Sequence, residues 1–237
     1  MRETAAFVFL VVLLLSLNVG AEENFSNYPE IIRLPFLESQ TGIDAGVQWR
    51  AYKLSKNDTP VGLFGDLSED AMRFNRLDRI FWKEGVIIRM PSDISQIKGW
   101  TPMSEAFEKC GKGLKRCAVI SLADQFLGIY EKGGLISSYP VSTGSIEMIC
   151  GRPEGTKSCR TPAMETYVRG RYIKTFSYPY RVWMWYALDI GRGRFIHSGN
   201  LPGHPDSHGC IRLFKRDARK VYNQIRINTK VFVVNDI

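Results

Sequence analysis

The spacing of apolar and polar residues changes several times along the chain. Ala5 to Leu17 is a nearly unbroken apolar run. From Asn24 to about Gln48, apolar residues are scattered among Pro, Gly and Asn, and no element is predicted. "VQWRAYKL" then reads as a short strand by its aromatic and branched content. "SEDAMRFNRLD" predicts a helix, with Ser68 placed to cap it and Asp70 in its first turn. "EGVIIRMP" predicts a strand introduced by Gly85 and stopped by Pro91. Beyond the connecting stretch "GWTPMSEAFEKCGKGLKRC", alternation becomes regular. "AVISLADQFLGIYEKGGLISSYPVSTG" runs in short alternating stretches split by "AD" and "KGG". That is the pattern of an antiparallel hairpin or meander with one buried face. Further strands are predicted at "ETYVRGRYI", "RVWMWYALDI" and "RGRFIHS". In the second of these, Trp183 and Trp185 share one face, expected to pack in the core or else to wall a peptide groove. In "RDARKVYNQI" the period lengthens, and Ala218, Val221, Tyr222 and Ile225 fall on one side of a helix. "TKVFVVN" closes the chain as a strand. Many short strands with one late helix predict a mainly β sandwich or barrel.

The apolar run near the start changes meaning when its flanks are read. Arg2 precedes it, and the small residues Val19 and Ala21 follow it, as at a signal-peptidase site. A secretory signal peptide is expected over residues 1–21, with an uncleaved anchor as the alternative. The apolar core is shorter than the ~18–20 residues of a membrane span, no cysteine follows it for a lipoprotein anchor, and no later stretch is apolar enough to span. Periplasmic or other export, with association to the cell wall, is therefore the expected location. The formal net charge is +8, and losing Arg2 and Glu3 leaves it unchanged. A basic exported protein suits an anionic wall or lipid surface; nucleic acid is not an expected partner, because the basic residues are dispersed. The chain has five cysteines, which in an oxidising compartment implies two bridges and one thiol over. Local pairing of Cys110 with Cys117 and of Cys150 with Cys159 is the simplest of three connectivities, leaving Cys210 free.

All three histidines and Cys210 fall within "IHSGNLPGHPDSHGCIRL", residues 196–213. Gly209 before Cys210 lets the backbone turn and aim N–H groups at an oxyanion formed by thiolate attack on a carbonyl. The helix starting near residue 214 would bring its positive end toward the sulfur and lower the thiol pKa. A histidine must take the proton; His197, His204 and His208 are the candidates, and His197, at the end of a strand-like run, has the firmest support. Four potential ligands also allow a zinc site, although the spacing fits no common zinc pattern. Buried, inert histidines and thiol are the bland alternative, which leaves the clustering unexplained.

These residues resemble the active-site motif of the L,D-transpeptidase catalytic domain, the YkuD-like family: a histidine, a spacer, then Ser/Thr-His-Gly-Cys, an apolar residue and Asn or Arg. Here these are His197, Ser207, His208, Gly209, Cys210, Ile211 and Arg212. "VISLADQFLGIYEKGGLISSYPVSTG" is similar to the family's opening hairpin, "RTPAMETYVRGR" to its Thr-Pro segment and "NTKVFVVN" to its closing strand. The likeness covers roughly Ala118 to Asn235 and implies a YkuD-like β-sandwich or barrel over 105–237. It also implies that Cys210 is the nucleophile, His197 its base, and Ser198 the residue whose carbonyl orients that histidine. His208, Gly209 and Cys210 would supply oxyanion-hole N–H groups. Arg212, Ser207 and Trp185 are candidate substrate contacts, with a structural ion pair as the alternative for Arg212; His204 is expected to face solvent. The spacer is a short form, "HxGxxPGxPxSHGC"; "SIEMICGRPEGTKSC" looks like an insertion with its own cysteine pair; and Thr161-Pro162 is followed by Ala-Met where Thr-Gly is usual. The N-terminal stretch "FNRLDRIFWKEGVIIRMP" resembles the second half of a glycan-binding LysM module, so residues 22–104 are expected to be a small α+β, LysM-like segment or a ligand-free packing subdomain.

The implied reaction needs no cofactor or metal. It is transfer of a peptidoglycan tetrapeptide stem through a Cys210 thioester, with release of D-Ala and 3→3 cross-linking. Water as acceptor would make the enzyme an L,D-carboxypeptidase, and another protein's lysine would make it a wall-anchoring enzyme. A non-catalytic wall-binding protein is the rival from a different class.

Overall fold

Thr41–Asp44 (β1) and Val47–Lys53 (β2) form a hairpin through Ala45 and Gly46, both at positive φ. Two short helices follow, Pro60–Phe64 (α1) and Ser68–Phe74 (α2), and then Ile87–Pro91 (β3), which pairs antiparallel with β2. Thr59 caps α1 by accepting the Gly62 N–H. Ser68 does not cap α2: a 3-10 turn at Gly65–Leu67 runs directly into the helix, so Ser68 is its first residue and its N–H bonds back to Gly65. The chain is described here from a computed structural model over residues 41–145, 148–150 and 157–236. The expected signal peptide, 1–21, lies outside the described residues.

Glu108–Gly111 (α3) precedes the meander Arg116–Ser121 (β4), Phe126–Glu131 (β5) and Gly134–Ser142 (β6). A small pair, Ile149–Cys150 (β7) and Lys157–Ser158 (β8), interrupts the chain before Met164–Tyr167 (β9), Gly170–Ser177 (β10), Val182–Gly191 (β11) and Arg194–Ser198 (β12). Ile211–Leu213 (β13), the helix Lys215–Gln224 (α4) and Lys230–Val234 (β14) complete it. Nine strands make one sheet in the order β10-β11-β12-β13-β6-β5-β4-β14-β9. Its two outermost strands are consecutive in the chain. Arg169 N–H donates to the Asp189 carbonyl and Thr166 Oγ1 to that of Ile190, so the sheet curls back on itself. The fold is mainly β with one late helix.

The expected single buried face of the meander is corrected by the structure: both faces are covered. Ala118, Ile120, Leu127, Ile129, Val231 and Val233 point toward α4 and the residue that ends it, where Val221 and Ile225 are buried. The alternate residues Val119, Phe126, Tyr130 and Phe232 point the other way, into a cluster with Phe74, Ile88 and Trp100 of the N-terminal segment. Gly128 lies in this second set because an added Cβ would stand 2.7 Å from Met103 Cε. Each large apolar side chain buried here contributes about 1.5–3 kcal/mol.

The N-terminal segment also reaches the loop that leads to Cys210. Leu77 bridges to Pro202, and the Asp78 N–H donates to the Leu201 carbonyl at 2.7 Å. The buried Arg76 lies over the rings of Trp100 and Phe126, 4.9 and 5.0 Å from their centroids, and pairs with Asp44. Cys110 is bonded to Cys117 and Cys150 to Cys159, with Cys210 free. Among the described residues, no helix is long and apolar enough to cross a membrane.

Candidate active site

β12 and β13 run parallel, with Ile196 opposite Ile211 and His197 opposite Arg212. Alternation along β12 buries Ile196 in the core and turns Phe195 and His197 to the other side. Cys210 stands one residue before the Ile196–Ile211 pair, which brings it beside Phe195 at the start of the cavity wall. Phe195, His197, Ser207, His208, Cys210 and Arg212 all line one cavity of about 450 Å³. Its far wall is the β10–β11 hairpin, through Thr175, Val182 and Met184, with Tyr178 and Tyr180 at the hairpin tip.

His197 Nδ1 is 2.7 Å from the Ser198 carbonyl oxygen. A carbonyl only accepts, so Nδ1 carries the proton and Nε2 is left as the basic nitrogen. Burial pushes the imidazole pKa down to about 4; the bond to Ser198 opposes this, and the Arg212 charge adds to it. The ring is therefore neutral at pH 7. Cys210 is shifted the opposite way: burial raises its thiol pKa, against the opposing effects of the Phe195 backbone and the Arg212 and Arg194 charges. The pair rests as thiol and imidazole rather than as thiolate and imidazolium.

The expected help from a helix N-terminus is not there. The three residues of β13, and then Phe214, separate Cys210 from α4, and β13 alone runs about 10 Å at ~3.3 Å per residue. The sequence placed helix and cysteine close together in number, and an intervening strand carries them apart in space.

The Cys210 loop is held by its own residues and by the end of β6. Gly209 has φ +107°, which favours glycine. Ser207 is buried, and its Oγ accepts the Gly209 N–H at 3.0 Å and donates to the Cys210 carbonyl at 2.5 Å. Its own N–H donates to the Thr143 carbonyl, and its carbonyl accepts from the Ser145 N–H, both at 2.9 Å. Thr143 is held in turn by the buried Gln125, whose Oε1 accepts the Thr143 N–H at 2.9 Å. The Gly209 N–H is thus engaged within the loop, which leaves those of His208 and Cys210 as the donors of this stretch for an oxyanion.

The three histidines part company. His208 is exposed and stacks on Tyr180, ring centroids 4.3 Å apart. His204 is half-buried rather than solvent-facing, its Nδ1 3.1 Å from the Pro205 carbonyl. Among the described residues no three His, Cys, Asp or Glu side chains converge as a metal site would need, so the zinc reading has no geometry behind it. Arg212 lines the cavity and also forms the ion pair weighed as its alternative, Nη1 lying 2.8 Å from Asp206 Oδ2.

Trp185 lies outside the cavity. Met184 and Val182 face it, and Trp183 and Trp185 project from the opposite side of β11, 56% and 37% exposed, with Lys174 Nζ 4.1 and 4.8 Å from their ring centroids. The core packing expected for the two tryptophans is therefore corrected: they do share a face, but β10–β11 lies at the sheet's edge, where Lys174, Lys215 and Phe176 lie against the rings and leave them partly exposed. Tyr180, Gln125 and Arg194 were missed as site neighbours. Gln125 alone left a sequence signal, in a turn between two strongly alternating runs.

The family model of the L,D-transpeptidase catalytic domain (YkuD) matches residues 115–233. No curated protein matches the sequence. Among solved structures, an L,D-transpeptidase from Xylanimonas cellulosilytica (residues 123–326) is similar at 16% identity and TM-score 0.55, over 77% of this chain and 97% of that one. That overlap extends beyond the family match into the N-terminal segment. An L,D-transpeptidase from Stackebrandtia nassauensis aligns at 22% identity and TM-score 0.47, over 56% of this chain and 62% of that one, so the chain spans under two thirds of that relative. One from Mycobacterium tuberculosis H37Rv aligns at 25% identity and TM-score 0.42, over 51% and 57%. With half of its length matched by the family model and its fold similar to that of the Xylanimonas cellulosilytica structure, the chain belongs to the YkuD family of L,D-transpeptidase catalytic domains.

Proposed function

We propose that the protein is an exported cysteine L,D-transpeptidase that acts on peptidoglycan tetrapeptide stems and forms 3→3 cross-links. The observation that carries this reading is the free thiol Cys210 sharing one cavity with a buried neutral imidazole whose Nδ1–H is tied to the Ser198 carbonyl. His197 Nε2 takes the Sγ proton as the sulfur attacks the carbonyl carbon of the stem's third residue. The backbone N–H groups of His208 and Cys210 receive the oxyanion. The tetrahedral intermediate collapses, the C–N bond to D-Ala breaks, and His197 protonates the departing amine. A side-chain amine of a second stem then attacks the thioester, loses its proton to His197, and leaves Cys210 as the thiol. Arg212, fixed by Asp206, presents positive charge to a substrate carboxylate. Thiol, imidazole and backbone donors suffice for these steps.

Export is supported by the two disulfides and by the apolar N-terminal run. The proposed organisation is a catalytic domain over 105–237 and an N-terminal segment, 22–104, whose Leu77 and Asp78 support the loop before Cys210.

The test is incubation of the mature protein, beside Cys210→Ala, with disaccharide-tetrapeptide, followed by mass spectrometry. The expected product is a cross-linked dimer that has lost one D-Ala, absent in the variant. Tripeptide alone would move the assignment to an L,D-carboxypeptidase. No change in either sample would favour a wall-binding protein.

A further inference from the structure

The segment after the second disulfide has no part in the chemistry above, yet it is wedged against the nucleophile loop. Gly144, at the end of β6, and Gly209 face the same atom, the Cys159 carbonyl oxygen. A Cβ on Gly144 would overlap that oxygen and stand 2.5 Å from the Thr161 nitrogen; one on Gly209 would stand 3.3 Å from the oxygen. Thr161, 1% exposed, bridges the same two glycines: its Oγ1 accepts the Gly144 N–H at 2.8 Å and donates to the Gly209 carbonyl at 3.1 Å. Cys159 is itself tethered, by its disulfide to Cys150 and by its N–H to the Met148 carbonyl. Met148 N–H donates to Ser145 Oγ, and Ser145 N–H returns to the Ser207 carbonyl. Cys159 and Thr161 do not line the cavity.

The consequence follows from peptide geometry. The Gly209 carbonyl and the Cys210 N–H belong to one planar trans peptide, so they point in opposite directions. Glycine's backbone freedom makes that plane easy to rotate. A hydroxyl that holds the carbonyl from behind aims the N–H forward. We propose that Thr161, held in place by the Cys150–Cys159 bridge, is a positioning residue that sets the direction of the Cys210 N–H as an oxyanion donor. This rests on the thioester reading of the site. It separates two properties of Cys210: nucleophilicity, which depends on His197, and acylation, which also needs the aimed donor.

The test compares Thr161→Val, nearly isosteric but without the hydroxyl, with Thr161→Ser, which keeps it. Two rates are measured on Cys210 by intact mass: acylation by a carbapenem, which passes through an oxyanion, and alkylation by iodoacetamide, which does not. Thr161→Val is expected to slow acylation roughly 10- to 100-fold, less than the ~10²–10³ for deleting a donor outright. Its alkylation should stay within about twofold of the parent, and Thr161→Ser should restore acylation. Equal slowing of both reactions, or of neither, would overturn the proposal. A parent protein that alkylates but never acylates would instead defeat the thioester reading. Amide hydrogen exchange over residues 207–210 then still decides: faster exchange in Thr161→Val supports the clamp, and unchanged exchange removes it.

Discussion

The two side chains proposed to react are held by opposite means. His197 sits inside β12, where strand pairing on both sides sets its position and a single bond to Ser198 sets its ring. Cys210 sits at the end of a loop with no ladder of its own, and its place depends on the Ser207 and Thr161 hydroxyls, on the Thr143 carbonyl that accepts the Ser207 N–H and, through the spacer, on the backbone bond from Asp78 to Leu201. A base must keep one orientation through the whole cycle, and a strand supplies that cheaply. A nucleophile next to an oxyanion site needs backbone N–H groups that are not spent in a sheet, and only a loop leaves them available. The arrangement makes His197 robust and the 207–210 stretch sensitive to distant changes.

The sharpest way to break this comparison is Cys210→Ala. Turnover and thiol adducts should fall to background while circular dichroism and the melting temperature stay near the parent's, because the bonds that hold the loop come from Ser207, Thr161 and the backbone and survive the substitution. A variant that still turned over stems would end the mechanism. His197→Gln should follow, with a loss of about 10²–10⁴-fold in turnover, read from single-turnover release of D-Ala.

The pH dependence sharpens the same contrast. With its pKa lowered to about 4, His197 stays a free base well below the usual imidazole range. The acid limb of kcat/KM should therefore lie near pH 4 rather than 6.5, and iodoacetamide alkylation should keep rising above the ordinary thiol range, because burial raises the Cys210 pKa. An acid limb at 6–7 would point to a resting ion pair. For stability the sign is the same: the unfolded chain binds a proton near pH 6.5 that the folded one refuses until about pH 4. Stability should fall as pH drops through that window, and His197→Gln should flatten the slope in chemical-denaturation curves.

Ser207→Ala removes a buried hydroxyl that serves Gly209 and Cys210, and should cost about 1–3 kcal/mol with slower acylation of Cys210. At the small end, Trp183→Ala and Trp185→Ala change a partly exposed face of β11 and remove its ring contacts with Lys174, and stability should fall by about 1 kcal/mol; a loss of several kcal/mol would mean that this face is packed after all.

Much of this was legible in the chain itself. The alternation in "AVISLADQFLGIY" gave its strands, the 3.6-residue period gave α4, and the clustering of histidines beside an odd cysteine marked the site, since such local periods and scarce reactive residues survive any packing. The failures share one cause. Alternation alone predicts a half-exposed meander, core tryptophans and α4 beside Cys210, and each of these depends on what another part of the chain places alongside. The sequence determined the elements, their amphipathic faces and the chemical identity of Cys210 and His197. Only the tertiary structure decided which faces are covered, that a neutral thiol and imidazole share one cavity, and that Thr161 stands behind the Cys210 peptide, because burial and hydrogen-bond partnership arise between segments far apart in the chain.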